Sequence, residues 1–290
     1  MIKGSVVALV TPFDKFNQVD YKKLKELLKF HIEQGTDAIL LFGTTGEGST
    51  LSIKEKIKIA KVSIKYVGNK IPIILNVGTN STSVTLMNIK LFNKLHPSAY
   101  LVITPYYNKG NDEGIFLHYQ YINKASKIPI IIYNVPSRTG VDLSIELIEK
   151  ISKLSNVIGI KETSTDIEKL IQLSKIQNEN FYWISGNDSR LIEDYKMGAK
   201  GLIGVVTNTH PKAIKEIIVH LSNNNFIEAE YKMCRISKYI KSLSIDVNPI
   251  PIKEAMNILG YNVGGYRLPL YFLSPEKRKA LAKCIEVMNE

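Results

Sequence analysis

The sequence predicts an α/β fold, a (β/α)8 TIM barrel with a C-terminal helical appendix. Short runs rich in Val, Ile and Leu alternate with longer segments of helical periodicity, and eight such runs occur before residue 210. Strands buried on both faces form continuous apolar runs, and eight βα units over about 220 residues are typical of this barrel. A doubly wound open sheet is the alternative, but no G-x-G-x-x-G segment follows the first run.

The elements follow from the chain in order. The predicted strands span 6–11, 37–43, 71–78, 99–105, 128–136, 157–163, 181–188 and 199–208. Each gap is long enough for a crossover helix. After the eighth unit the pattern becomes purely helical, with segments near 225–241, 250–259 and 275–289. We therefore predict a catalytic barrel over residues 1–222 and a three-helix appendix over residues 223–290.

Composition narrows the class of protein. The chain has 290 residues, of which 44% are hydrophobic, and no apolar run has the length of a membrane span. The first residues lack the features of a signal peptide. Cys234 and Cys284 form no CxxC pair and no cluster with histidines. The expectation is a cytoplasmic protein that meets no membrane and uses no metal or cofactor.

The formal charge of +11 raises the question of nucleic-acid binding. The lysines are scattered over amphipathic segments such as YKKLKELLKF, without interleaved aromatic residues that could stack on bases. We therefore do not predict a nucleic-acid partner. A basic surface would still concentrate anionic substrates.

One lysine, Lys161, stands in the sixth run, VIGIKET. A buried ammonium is costly unless it is paired or neutral. A lysine amine in a low-dielectric barrel can attack a carbonyl carbon and form a Schiff base, whose iminium is an electron sink. The alternative is a lysine that extends to the barrel rim or pairs with Glu162.

Further reactive side chains follow the ends of other strands, where barrel enzymes place their active sites. Tyr133 ends the fifth run, and its phenol could act as general acid and base. Thr44 and Thr45 lie in the turn GTTGEG, whose hydroxyls and amides suit a carboxylate. Arg138 could hold a second carboxylate with its bidentate guanidinium. Considered alone, Tyr133 could instead be a structural tyrosine of the core, and Arg138 could be a surface arginine.

Together these segments resemble the dihydrodipicolinate synthase family, also called 4-hydroxy-tetrahydrodipicolinate synthases. GTTGEG, PYYN, YNVPSRTG, GIKE, NPIPIK and RLPL occur in the expected order, and the resemblance runs essentially end to end. The wider superfamily of pyruvate-dependent class I aldolases, which includes N-acetylneuraminate lyase, shares the turn, the tyrosine and the lysine. Arg138 within VPSRTG separates the synthase from the lyase.

The resemblance implies a lyase that condenses pyruvate with L-aspartate 4-semialdehyde in lysine and diaminopimelate biosynthesis. Pyruvate would form an imine with Lys161, become an enamine and attack the aldehyde before cyclisation. Thr44, Tyr133 and Tyr107 would form a proton relay. In the family Tyr107 crosses a tight dimer interface, so the resemblance implies at least a dimer and commonly a homotetramer built as a dimer of dimers.

The resemblance also assigns the substrate-binding residues. Thr45 and the turn amides would hold the pyruvate carboxylate, and Arg138 that of the semialdehyde. Gly186 and the backbone of Ile203 would complete the pocket near the imine.

Three positions depart from the common pattern of the family. Asn187 replaces an acidic residue, Gly204 replaces a frequent serine, and Gly110 replaces a frequent proline. None belongs to the relay, so the expected reaction class is unchanged.

A second set of departures concerns regulation. Many members are inhibited by lysine in an interface cleft that contains a glutamate and histidines. The corresponding positions here are Val84, Ile53 and Lys56, whereas Asn80 and Tyr106 are retained. A valine cannot accept hydrogen bonds from an ammonium, and Lys56 adds a like charge. We predict an enzyme insensitive to lysine.

Two other functions remain open on the sequence alone. The first is a pyruvate-releasing aldolase for a keto sugar acid, such as N-acetylneuraminate lyase or a 2-keto-3-deoxy acid aldolase. The second is a catalytically silent barrel that binds pyruvate or acts as a scaffold, because a fold does not establish a function.

Overall fold

All eight predicted strands are present in the computed structural model, which describes residues 2–289. They are β1 Gly4–Ala8, β2 Ala38–Leu41, β3 Ile73–Asn76, β4 Ala99–Ile103, β5 Ile130–Asn134, β6 Val157–Glu162, β7 Tyr182–Ser185 and β8 Gly201–Gly204. The strands are hydrogen-bonded in chain order and close into a barrel. The predicted TIM barrel is confirmed.

Helices connect the strands and form the tail. They are α1 Tyr21–Glu33, α2 Ile53–Val67, α3 Thr82–Phe92, α4 Asp112–Ala125, α5 Pro136–Thr139, α6 Ile145–Ser152, α7 Ile167–Lys175, α8 Leu191–Lys196, α9 Pro211–Ser222, α10 Phe226–Ser242, α11 Ile250–Ile258 and α12 Pro275–Asn289. The last three match the segments predicted from periodicity. None of the helices within residues 2–289 is both long and apolar enough to cross a membrane.

The first strand differs from its prediction, because β1 begins and ends earlier than the run 6–11. Leu9 and Val10 are buried, yet they follow the strand. The amide of Val10 donates to the side chain of Asn208 at 3.0 Å instead of to a neighbouring strand. An apolar run therefore shows where the chain is buried more accurately than where a strand ends.

The chain divides into two compact units, residues 1–71 with 204–290 and residues 72–203. The boundary predicted between residues 222 and 223 falls between α9 and α10, and the division into catalytic barrel and appendix stays a prediction.

In the unit of residues 72–203, β5 and β6 position the central side chains. These strands are parallel, with Tyr133 beside Lys161 and Asn134 beside Glu162. Successive side chains of a strand point to opposite faces. The register therefore places Tyr133 and Lys161 on one face and Asn134 and Glu162 on the other.

In the unit that contains β1 and β2, side-chain hydrogen bonds hold the first turn of α2. Ser52 and Glu55 form a capping box, which satisfies backbone amides at the helix start. Arg267 from the tail makes two hydrogen bonds to the Glu55 carboxylate, at 3.0 and 2.6 Å. The guanidinium lowers the pKa of Glu55 to about 2.

Candidate active site

Lys161 and Tyr133 form the centre of the candidate active site. Both are buried, each with 6% of its surface exposed. The Lys161 Nζ lies 4.5 Å from the centroid of the Tyr133 ring. The predicted pairing of an amine with a phenol at neighbouring strand ends is therefore observed.

Gly186 leaves the space that the lysine side chain occupies. A Cβ at this position would lie 2.7 Å from Lys161 Cε and 2.6 Å from the Cγ2 atom of Thr163. Such distances are shorter than real Cβ contacts, so a larger residue would displace the lysine. The structure thus brings Gly186 together with Lys161, and the role of Gly186 in the pocket stays a prediction.

Glu162 does not pair with Lys161, so one of the alternatives left by the sequence is wrong. The Glu162 carboxylate lies on the opposite face of β6, 3.6 Å from Lys169 Nζ. It accepts hydrogen bonds from the amides of Thr163 and Ser164, at 2.7 and 2.8 Å. Lys161 is also buried rather than extended to the rim.

The group around Glu162 is a buried polar network that the sequence analysis missed. Asn134 Nδ2 donates to Glu162 Oε2 at 2.9 Å and to Asp142 Oδ1 at 2.7 Å. Lys169 contacts both carboxylates. Burial raises the pKa of Glu162, and the Lys169 charge and the hydrogen bonds oppose that shift. The network ties β5 to β6 directly behind Tyr133 and Lys161.

The period of a strand could have revealed this arrangement. Residues 161 and 162 are adjacent in β6, so their side chains must point to opposite faces. The identity of Lys169 as a partner could not be predicted in the same way, because it depends on how α7 packs.

Thr44 and Thr45 belong to the other unit, in the turn GTTGEG after β2. Thr45 is 2% exposed, whereas Thr44 is half-buried. The turn is compact, because a Cβ at Gly48 would lie 2.0 Å from the carbonyl oxygen of Phe42. Glu47 has a φ of 51°, which is unusual for a residue other than glycine. Such a turn needs support from surrounding groups.

The remaining predicted site residues lie in three different settings. Arg138 is exposed on the short helix α5. Tyr107 is 88% exposed and has a φ of 73°. Ile203 is fully buried in β8. The roles expected of these residues stay predictions.

Within the described part of the chain, no group of three or more His, Cys, Asp or Glu side chains is arranged to hold a metal ion.

Comparison with known proteins identifies relatives over the full length. Residues 1–288 match the model of the Dihydrodipicolinate synthetase family. The 4-hydroxy-tetrahydrodipicolinate synthase of Clostridium novyi is 39% identical over 290 residues, which cover 100% of this chain and 98% of that protein.

Solved structures agree with this similarity. The chloride-inhibited dihydrodipicolinate synthase of Acinetobacter baumannii complexed with pyruvate is 38% identical with a TM-score of 0.97, covering 100% of this chain and 99% of that one. The enzyme of Cyanidioschyzon merolae with lysine bound is 31% identical with a TM-score of 0.96, covering 99% and 98%.

Proposed function

The chain belongs to the dihydrodipicolinate synthetase family, and from that premise we propose that Lys161 is its Schiff-base lysine. The enzyme condenses pyruvate with L-aspartate 4-semialdehyde to 4-hydroxy-tetrahydrodipicolinate, the first committed step of lysine and diaminopimelate biosynthesis. It is a lyase of the class I aldolase type. The observation that carries the proposal is the buried Lys161 amine over the Tyr133 ring.

The chemistry begins at the Lys161 nitrogen. This amine attacks the C2 carbonyl of pyruvate, and loss of water from the carbinolamine gives an iminium. Loss of a proton from C3 then forms an enamine, which attacks the aldehyde carbon of the semialdehyde. Cyclisation through the semialdehyde amine releases Lys161. Glu162 lies on the other face of β6, so no carboxylate of that strand forms an ion pair with the Lys161 amine.

Proton transfer is assigned to three hydroxyl groups. The position of Tyr133 supports its part in this relay, since its ring centroid lies 4.5 Å from the Lys161 Nζ. Thr44 and Tyr107 are assigned to the relay because they stand at the positions of the family's relay residues. Protonation of the carbinolamine hydroxyl and its release as water are the steps that need such a relay.

Two carboxylates define the substrates. Thr45 and the amides of its turn bind the pyruvate carboxylate, and the Arg138 guanidinium binds that of the semialdehyde. Gly186 and the Ile203 backbone border the imine. The close approach of Gly186 to Lys161 supports its part of the assignment.

Tyr107 also bears on assembly. Its side chain is almost wholly exposed in a single chain, as expected for a residue that enters a partner's site. Val84 and Met87 on α3 and Tyr121 on α4 are large exposed apolar side chains in the same unit. We assign a homotetramer, a dimer of dimers in which Tyr107 crosses the tight interface. Exposed Cys234 suits the reducing cytoplasm.

A coupled assay with both substrates tests the function. Wild type should consume semialdehyde only when pyruvate is present. Lys161→Ala should not consume semialdehyde, and it should not form a borohydride-reduced adduct with pyruvate. Release of pyruvate from N-acetylneuraminate, without condensation, would instead identify a retro-aldol enzyme.

Mixed oligomers test the position of Tyr107. A Lys161→Ala protomer lacks the nucleophile, and a Tyr107→Ala protomer lacks the phenol. If the phenol crosses the interface, mixed dimers regain one complete site, whereas a phenol within its own chain's site gives no recovery.

A further inference from the structure

Two tail motifs, NPIPIK (248–253) and RLPL (267–270), meet the turn that contains Thr44 and Thr45. Lys253 is fully buried, and its Nζ lies 2.7 Å from Glu47 Oε1 and 3.1 Å from the carbonyl oxygen of Thr11. It also donates to the carbonyl of Gly265. The Glu47 side chain is equally inaccessible. The ammonium and the carboxylate are thus taken out of water together.

Glu47 connects Lys253 to the turn, because Glu47 is itself a residue of GTTGEG. Its second oxygen accepts a hydrogen bond from the amide of Arg267 at 3.1 Å. The next residue, Gly48, lies too close to Phe42 for any side chain. Thr11 Oγ1 further donates to the carbonyl of Gly46 at 2.6 Å. With so little space, the path of the turn depends on where the Glu47 carboxylate is held.

Asn248 acts on Thr45 itself. Its Nδ2 donates to Thr45 Oγ1 at 3.0 Å. Thr45 is 2% exposed, and its hydroxyl has no acceptor for its own proton among residues 2–289. A hydroxyl that accepts from an amide must direct its proton elsewhere, and a buried donor without an acceptor is costly. The arrangement leaves Thr45 ready to donate to an anionic ligand.

We propose that Asn248 and Lys253 are positioning residues for the carboxylate of the 2-oxo acid substrate. Asn248 orients the Thr45 hydroxyl as a donor, and Lys253 fixes the turn through Glu47. Neither residue touches the substrate. The inference rests on the proposed function, because it assumes that Thr45 binds the pyruvate carboxylate.

The decisive variant is Asn248→Asp, which has the same shape but presents acceptors to Thr45. The Thr45 hydroxyl then donates its hydrogen bond to the new carboxylate and can no longer donate to the ligand. The assay is borohydride trapping on Lys161, measured over a range of pyruvate concentrations and repeated with methyl pyruvate, which lacks the carboxylate charge. We expect the half-saturating pyruvate concentration to rise at least about tenfold, and that of methyl pyruvate to change less than about twofold.

A double variant tests Lys253. Glu47→Gln with Lys253→Met removes both buried charges, so no charge is left unpaired. It should show the same selective loss for pyruvate. Lys277→Gln is the matched control, because it breaks a tail ion pair with Asp246 at the surface and should trap both ketones like wild type.

The outcomes separate the inference from the proposed function. If wild type traps neither ketone on Lys161, the proposed function fails. If wild type traps pyruvate but Asn248→Asp leaves its half-saturation unchanged, or loses both ketones equally, the role of Asn248 is overturned. A folded double variant with wild-type pyruvate saturation overturns the role of Lys253. If the double variant does not fold by circular dichroism, Asn248→Asp still decides the role of Asn248.

Discussion

Substitution of Glu162 by glutamine should weaken both the fold and the imine chemistry. The carboxylate accepts from the amides of Thr163 and Ser164 with one oxygen and from Asn134 with both. A glutamine can keep its oxygen toward the two amides, but its NH2 group then faces the NH2 group of Asn134. The charge opposite Lys169 is also lost.

The expected cost follows from these contacts. A hydrogen bond to a charged group contributes about 1.5 to 3 kcal/mol, and a buried donor without an acceptor adds a penalty of similar size. Some relaxation of Asn134 offsets part of the sum, so we expect a loss of about 3 kcal/mol in the free energy of unfolding. Urea denaturation measures it directly.

Glu162→Gln should also displace Lys161 and Tyr133, which lie on the opposite face of β6 and β5. A displacement of about 1 Å at a reacting group can cost about 100-fold in rate. We expect the rate of pyruvate trapping on Lys161 to fall at least about tenfold. Asp142→Asn is the matched control, since Asp142 is about half exposed and an asparagine oxygen can still accept from Asn134. Wild-type trapping and stability for Glu162→Gln would refute the idea that the network positions Lys161 and Tyr133.

Three further predictions concern substrate, effector and pH. Arg138→Ala should leave pyruvate trapping intact and raise the KM for the semialdehyde; equal loss of both would show that Arg138 organises the whole pocket. Val84 and Lys56 should make the enzyme insensitive to lysine, and half-inhibition below about 1 mM, near −4 kcal/mol in binding free energy, would contradict this. Burial lowers the pKa of His31 to about 3 from 6.5, so the unfolded state binds the proton first as pH falls below 6.5. His31 should therefore cost about 2 kcal/mol of stability at pH 5 relative to pH 7.5, and a His31→Gln variant whose urea midpoints keep the wild-type pH dependence would exclude this contribution.

The strand order could be predicted because each strand is a nearly unbroken apolar run. In a barrel of consecutive parallel strands the fifth and sixth strands are neighbours, and this predicts that Tyr133 lies beside Lys161. Strand ends were less predictable. Leu9 and Val10 are as apolar as the strand before them, yet the Val10 amide bonds to the side chain of Asn208, and no local pattern encodes such a contact.

The supporting groups of the site were beyond the sequence for the same reason. The sequence shows NPIPIK and RLPL as family motifs, but the turn residues that Asn248 and Lys253 contact lie 203 and 206 positions earlier in the chain. The sequence also shows Glu162, but its adjacency to Lys161 does not identify its partner. Only the packing of α7 shows that its cation is Lys169.

The distance along the chain between Glu47 and Lys253 has a consequence for the newly made protein. The two residues are 206 positions apart, and ribosomes add about 5 to 20 residues per second. The turn around Thr45 therefore waits about 10 to 40 s after Glu47 is made before its buried cation has even been synthesised. Lys161 and Tyr133 leave the ribosome well before that cation, so a nascent chain carries its nucleophile long before the support for its substrate-binding turn.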